Sequence, residues 1–164
     1  MDRSYRSEKE FIAELRESAN PLGEVLDIDP LLDQAQTASH VLLGEATHGT
    51  REFYRWRAET SKRLIVERQF RFIAVEGDWP DCWEINRYIK GYSPPDLTAR
   101  AVLMRFKRWP TWMWANEEMV EFIEWLKDYN ESFPEELPVG FYGLDVYSLW
   151  ESLYAVMRCR LWHV

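Results

Sequence analysis

Apolar residues recur at helical spacing along much of the 164-residue chain and gather elsewhere into short unbroken runs. Phe11, Ile12 and Leu15 share one helical face, which predicts a first helix over 8–19 with Ser7 as its cap, broken by Asn20-Pro21-Leu22-Gly23. A short helix over 30–36 takes Pro30 at the favoured first position. Val41-Leu42-Leu43-Gly44 is an apolar run of the kind a buried strand carries. A long helix over 51–68 follows, with Phe53, Trp56, Leu64 and Ile65 roughly on one face, and then a second buried strand, Phe72-Ile73-Ala74-Val75. Helices are predicted over 82–90, closed by Gly91, and over 96–106, entered through Ser93-Pro94-Pro95. The stretch 116–130 has the clearest amphipathic pattern, with Met119, Val120, Ile123 and Leu126 inward and acids outward. A third strand over 139–144 and a helix over 148–158 complete the series.

Strands separated by long helical connections are those of a parallel sheet, because parallel neighbours need a crossover between them. The expected fold is therefore α/β, a parallel β-sheet with helices on both faces. No repeat, low-complexity segment or Ser/Gly linker divides the chain, so one domain is expected, with a helical lead-in at 1–37, a main segment at 38–158 and a tail at 159–164.

Composition narrows the functional classes. With 46% hydrophobic and 29% charged residues, seven Gly and eight Pro, the chain has the make-up of a globular protein. A net charge of -8 repels a phosphate backbone, which argues against nucleic-acid partners, and 100–108 is the one locally basic stretch. Cys82 and Cys159 are too few for a disulfide framework and lack metal-ligand spacing. The first ten residues have no apolar signal region, and no uncharged apolar run approaches the ~20 residues that span a bilayer. A cytoplasmic protein with no membrane partner is expected. Nine Trp is a heavy load, and core packing accounts for most of it. The segment Trp109-Pro110-Thr111-Trp112-Met113-Trp114 has two readings: it plugs the end of the sheet, or Trp112 and Trp114 wall a cleft for a bulky apolar ligand.

Each expected strand ends in an acid: Glu45, Glu76 and Asp145. Ligands of open parallel sheets bind beyond the carboxyl ends of the strands, and grouping like charges there costs energy unless something uses them. His48 lies three residues after Glu45, between small residues. A carboxylate that holds one ring nitrogen leaves the other free to accept a proton from water. Arg57, in the following helix, pairs with these carboxylates, steadies a developing oxyanion, or forms a surface pair with neighbours such as Glu52. Glu45-x-x-His48 has the spacing of helical di-metal sites, but Gly44 and Gly49 bracket it at a strand end, and His48 alone is placed as a nitrogen ligand. An oxygen-rich Mg or Mn site is the metal reading left open. No Gly-x-Ser-x-Gly elbow and no Gly-rich phosphate loop occurs, so water activation is the chemistry these residues support.

The segments Gly44-Glu45-Ala46-Thr47-His48-Gly49-Thr50-Arg51-Glu52-Phe53-Tyr54, Phe72-Ile73-Ala74-Val75-Glu76-Gly77-Asp78-Trp79-Pro80 and Phe141-Tyr142-Gly143-Leu144-Asp145 resemble the erythromycin esterase family, over about 39–158. The resemblance implies hydrolysis of an ester, in the name-giving members a macrolactone, with an expected link to antibiotic response. It places the general base on His48, its glutamate on Glu45, a second essential glutamate on Glu76 and an arginine on Arg57. It calls for no cofactor and no metal, and for a small-molecule ester or macrolide-like substrate as the partner. Members of the family are longer, with a further histidine that neither His40 nor His163 matches. A truncated member is therefore expected, with self-association through an exposed sheet edge. The alternative is an inactive or ligand-binding half-domain without turnover.

Overall fold

The structure, a computed structural model, describes residues 7–106, 110–133, 137–147 and 149–161. It divides into two compact units, Met1–Val41 and Leu42–Val164. In the first, helix α1 (Glu8–Ser18) starts at Ser7, whose hydroxyl accepts from the Glu10 amide while the Glu10 carboxylate accepts from the Ser7 amide. This reciprocal cap satisfies two amides that a helix start leaves open. A 3-10 turn (Val25–Ile28) leads to α2 (Asp29–Gln34), which carries Pro30 in its first turn and buries Leu32.

The second unit runs through α3 (Arg51–Arg68), β1 (Phe72–Asp78), α4 (Trp79–Ile89), α5 (Ala99–Leu103), a 3-10 turn (Thr111–Met113), α6 (Glu117–Ser132), β2 (Gly140–Asp145) and α7 (Leu149–Leu161). The strands pair in parallel, from Phe72 opposite Gly140 to Val75 opposite Gly143. Between Val75 and Asp78 the register shifts, so Glu76 and Gly77 together face Leu144 before Asp78 meets Asp145. Such a bulge re-aims the residues around it. Gly143 makes it possible, since a Cβ there would lie 2.5 Å from the Gly77 carbonyl oxygen and 2.9 Å from the Asp78 carbonyl carbon. Both strand ends therefore carry their acids to one place.

The core lies where α4, α5 and α6 pack together beside the sheet. Asn86 of α4 accepts from the buried Phe141 amide at 3.0 Å, giving a partner to a β2 group that points away from β1. Asn130 of α6 donates to the Ile89 and Val139 carbonyls and accepts from the Val139 amide at 2.8 Å, tying the end of α4 to the approach to β2.

The α/β class holds, with a two-stranded parallel sheet. The strand expected over 41–44 is not formed: no ladder includes these residues, and Leu42 is 93% exposed. An apolar run shows that a segment can be buried; only a neighbour of the right register makes it a strand. Helices were expected on both faces. Ile73, Val75 and Phe141 pack into the core on one face, whereas Phe72 and Leu144 are exposed on the other. The 82–90 helix begins earlier, at Trp79, because Pro80 fits a first helical turn. The 96–106 helix shortens to Ala99–Leu103 behind a Thr98 cap that accepts from Ala101. Trp109, Arg108, Ser148 and the last three residues of the expected tail lie outside the described residues.

Candidate functional site

The loop before α3 folds Glu45 and His48 back toward the helix, which carries Arg57 two turns in. One Glu45 oxygen, Oε1, meets His48 Nδ1, and the other, Oε2, accepts from Arg57 Nη2. An ionised carboxylate only accepts, so a neutral His48 held on Glu45 carries its proton on Nδ1 and turns Nε2 to the acceptor role. The Glu45 side chain is 11% exposed and that of His48 41%, so the carboxylate is sheltered while the ring reaches water. Sheltering an anion costs energy that a buried, well-aimed cation offsets. Arg57 meets that need: its guanidinium lies 5.4 Å from the Tyr54 ring centroid and 6.0 Å from that of Trp114.

Among the described residues, His48 borders a smaller and a larger hollow. The smaller, about 200 Å³, is lined by Glu76, Asp78, Trp114, Asp145 and Tyr147 among others. The larger, about 520 Å³, is lined by Gly49, Tyr54, Trp112 and Asn116 with the paired acids Glu117 and Glu118. The structure thus joins Glu45, His48 and Arg57 by direct contact. Glu76 and Asp145 share only the smaller hollow with His48. Asp145 Oδ2 is buried and has no hydrogen-bond partner, while Asp78 Oδ1 accepts from the Tyr147 amide. The two tryptophans separate. Trp112 is 46% exposed on the larger hollow, whereas Trp114 is a core ring whose Nε1 donates to the Glu76 carbonyl at 2.9 Å. Trp114 stands edge-on to Tyr54 and Phe141, as the packing reading of the Trp-rich segment expects, while it also lines the smaller hollow.

Tyr54 was not singled out from the sequence. Its position three residues before Arg57, on the same side of α3, is the signal that could have found it. Burial, reinforced by the Glu45 charge and partly offset by Arg57, pushes its phenol up to about 12, so it stays protonated at neutral pH. Burial and the charges of Asp81, Asp78 and Asp145 push the Cys82 thiol up to about 12, which removes it as a nucleophile near neutrality. Among the described residues, no three His, Cys, Asp or Glu side chains converge as metal ligands do, and no helix is long and apolar enough to cross a membrane.

Residues 65–159 match the model of the erythromycin esterase family. That span contains Glu76, Trp112, Trp114 and Asp145 and starts beyond Glu45, His48 and Arg57. A solved protein described as a succinoglycan biosynthesis protein superposes with a TM-score of 0.75 at 28% identity, covering 94% of this chain and 39% of that one. A Bacillus cereus protein shares the fold with a TM-score of 0.73 at 24% identity, covering 92% of this chain and 36% of its own. The chain spans less than two-fifths of the length of each.

Proposed function

The chain belongs to the erythromycin esterase family, a hydrolase-type family, and from that premise we propose that it hydrolyses a carboxylic ester, a macrolactone being the first class to test, with water activated by His48. The observation that carries this reading is the line of contacts from Arg57 through Glu45 to His48. Glu45 holds Nδ1–H, and Nε2 takes a proton from water as the water oxygen bonds to the ester carbonyl carbon. The carbonyl π pair moves onto its oxygen, where the Arg57 charge steadies it. Collapse returns that pair, breaks the bond to the alcohol oxygen and passes the His48 proton to the departing alkoxide. The products are one acid and one alcohol, or a single opened hydroxy acid when the ester is a ring. Glu76, on the smaller hollow, accepts a hydrogen bond from the attacking water, and Asp145 and Trp112 contact the substrate in this reading. An antibiotic response is the biological setting it suggests.

The test is hydrolysis of erythromycin and of simple aryl esters by the full chain, followed by mass spectrometry for the gain of one water. His48→Ala is expected to lower turnover by ~10²–10⁴, with Glu76→Gln also impaired and both variants retaining the native circular dichroism. Unchanged turnover in both would sink the assignment. A second reading, ligand binding without turnover, draws on the Trp112 ring left 46% exposed on the larger hollow. Saturable macrolide binding without product would favour it.

A further inference from the structure

Among the described residues, three buried side-chain atoms have no hydrogen-bond partner: Tyr54 Oη, Arg57 Nε and Asp145 Oδ2. The first two are donors on one face of α3, beside the Glu45–His48 pair. An unmet buried donor costs about 1–3 kcal/mol, and native structures keep few of them without a use. The Tyr54 ring is explained by packing, since it is 4% exposed, supports the Arg57 guanidinium and meets the edge of Trp114. Phenylalanine would fill the same space and serve both contacts. The hydroxyl is the part that packing leaves unexplained, and Tyr54 borders the larger hollow together with His48.

We propose that Tyr54 is a further catalytic residue, its O–H donating to the ester carbonyl oxygen and to the oxyanion that oxygen becomes. The proposal rests on the ester-hydrolase reading and adds a residue to it. No proton leaves Tyr54. As the water oxygen bonds to carbon, the π pair shifts to an oxygen held by the Tyr54 hydroxyl, and as the alcohol departs the pair returns. Donors of this kind act because the charge they meet develops in the transition state. The phenol suits that role because its surroundings keep it protonated.

The experiment compares wild type with Tyr54→Phe in the full chain. Turnover of para-nitrophenyl butyrate and erythromycin is expected to fall about 10²-fold in kcat with little change in KM. The thermal midpoint is expected to stay or rise, because the substitution removes an unpartnered hydroxyl and keeps the ring. An active wild type with unchanged kcat in Tyr54→Phe overturns the proposal and leaves the ester reading standing. A wild type that hydrolyses no ester overturns that reading instead. Phenylphosphonate, a tetrahedral anion, then tests Tyr54 by calorimetry alone. Binding at least tenfold weaker in Tyr54→Phe supports the donor role, and equal binding overturns it. A midpoint lowered by several degrees also overturns it, because the hydroxyl would then have a structural acceptor.

Discussion

Helices α6 and α7 read alike in sequence and end differently in the fold. Both carry a broad apolar stripe. That of α6 is buried through Met119, Phe122, Ile123 and Leu126, and the helix packs against α3, α4 and α5. On α7, Leu149, Trp150, Leu153, Tyr154, Val156 and Met157 are all exposed, between 46% and 71%. Its contact is with α4, made from the flank of the stripe, where Ser152 is buried and accepts from Trp79 Nε1 at 2.8 Å. An amphipathic stripe states which face a helix would bury; a neighbour with matching shape decides whether it does.

The largest test of this contrast is a pair of truncations. Leu126→Ala removes a fully buried side chain from α6 and is expected to cost about 2–5 kcal/mol in denaturant unfolding. Trp150→Ala on α7 removes a larger but exposed side chain and is expected to change stability by no more than about 0.5 kcal/mol. Equal losses would mean that α7 is buried in solution.

A smaller effect contrasts the polar ties of the two helices. Asn130→Ala leaves the Ile89 and Val139 carbonyls and the Val139 amide without their partner, at an expected cost of about 1–3 kcal/mol. Ser152→Ala removes a single acceptor and is expected to cost about 1 kcal/mol. A Ser152 loss exceeding that of Asn130 would show that the anchor of α7 matters more than its one hydrogen bond indicates. An effect of the size of the Ser152 one is expected at the start of α6, where Asn116 accepts from the Met119 amide at 3.0 Å. Asn116→Ala is expected to cost about 1 kcal/mol, visible as a lowered thermal midpoint without loss of the fold.

Much of this was legible in the chain. The reading of 51–68 as a helix matches Arg51–Arg68, and the Ser7 cap is formed as its sequence suggests. These features depend on neighbours within a turn or two, which a linear pattern contains. The 41–44 run failed because strand formation depends on a partner distant in sequence, and none of the described residues pairs with it. In the site, Glu45 and His48 were legible from their spacing. Arg57 had two readings, with Glu52 or with the carboxylates at the strand ends, and only the folded chain shows it on Glu45. Tyr54 was missed because its ring reads as core, and its spacing from Arg57 gains meaning once its hydroxyl is seen buried without a partner.

By itself, then, the sequence determined where α1, α3 and α6 run, that acids follow the β1 and β2 runs, and that His48 sits beside Glu45, because spacing along the backbone governs each of these. Tertiary structure decided which acid holds the histidine and the arginine. It also decided that Trp114 enters the core while Trp112 stays at a surface hollow, and that the stripe of α6 is covered while that of α7 is not. Those outcomes depend on the distance between side chains far apart in the chain, and packing alone sets that distance.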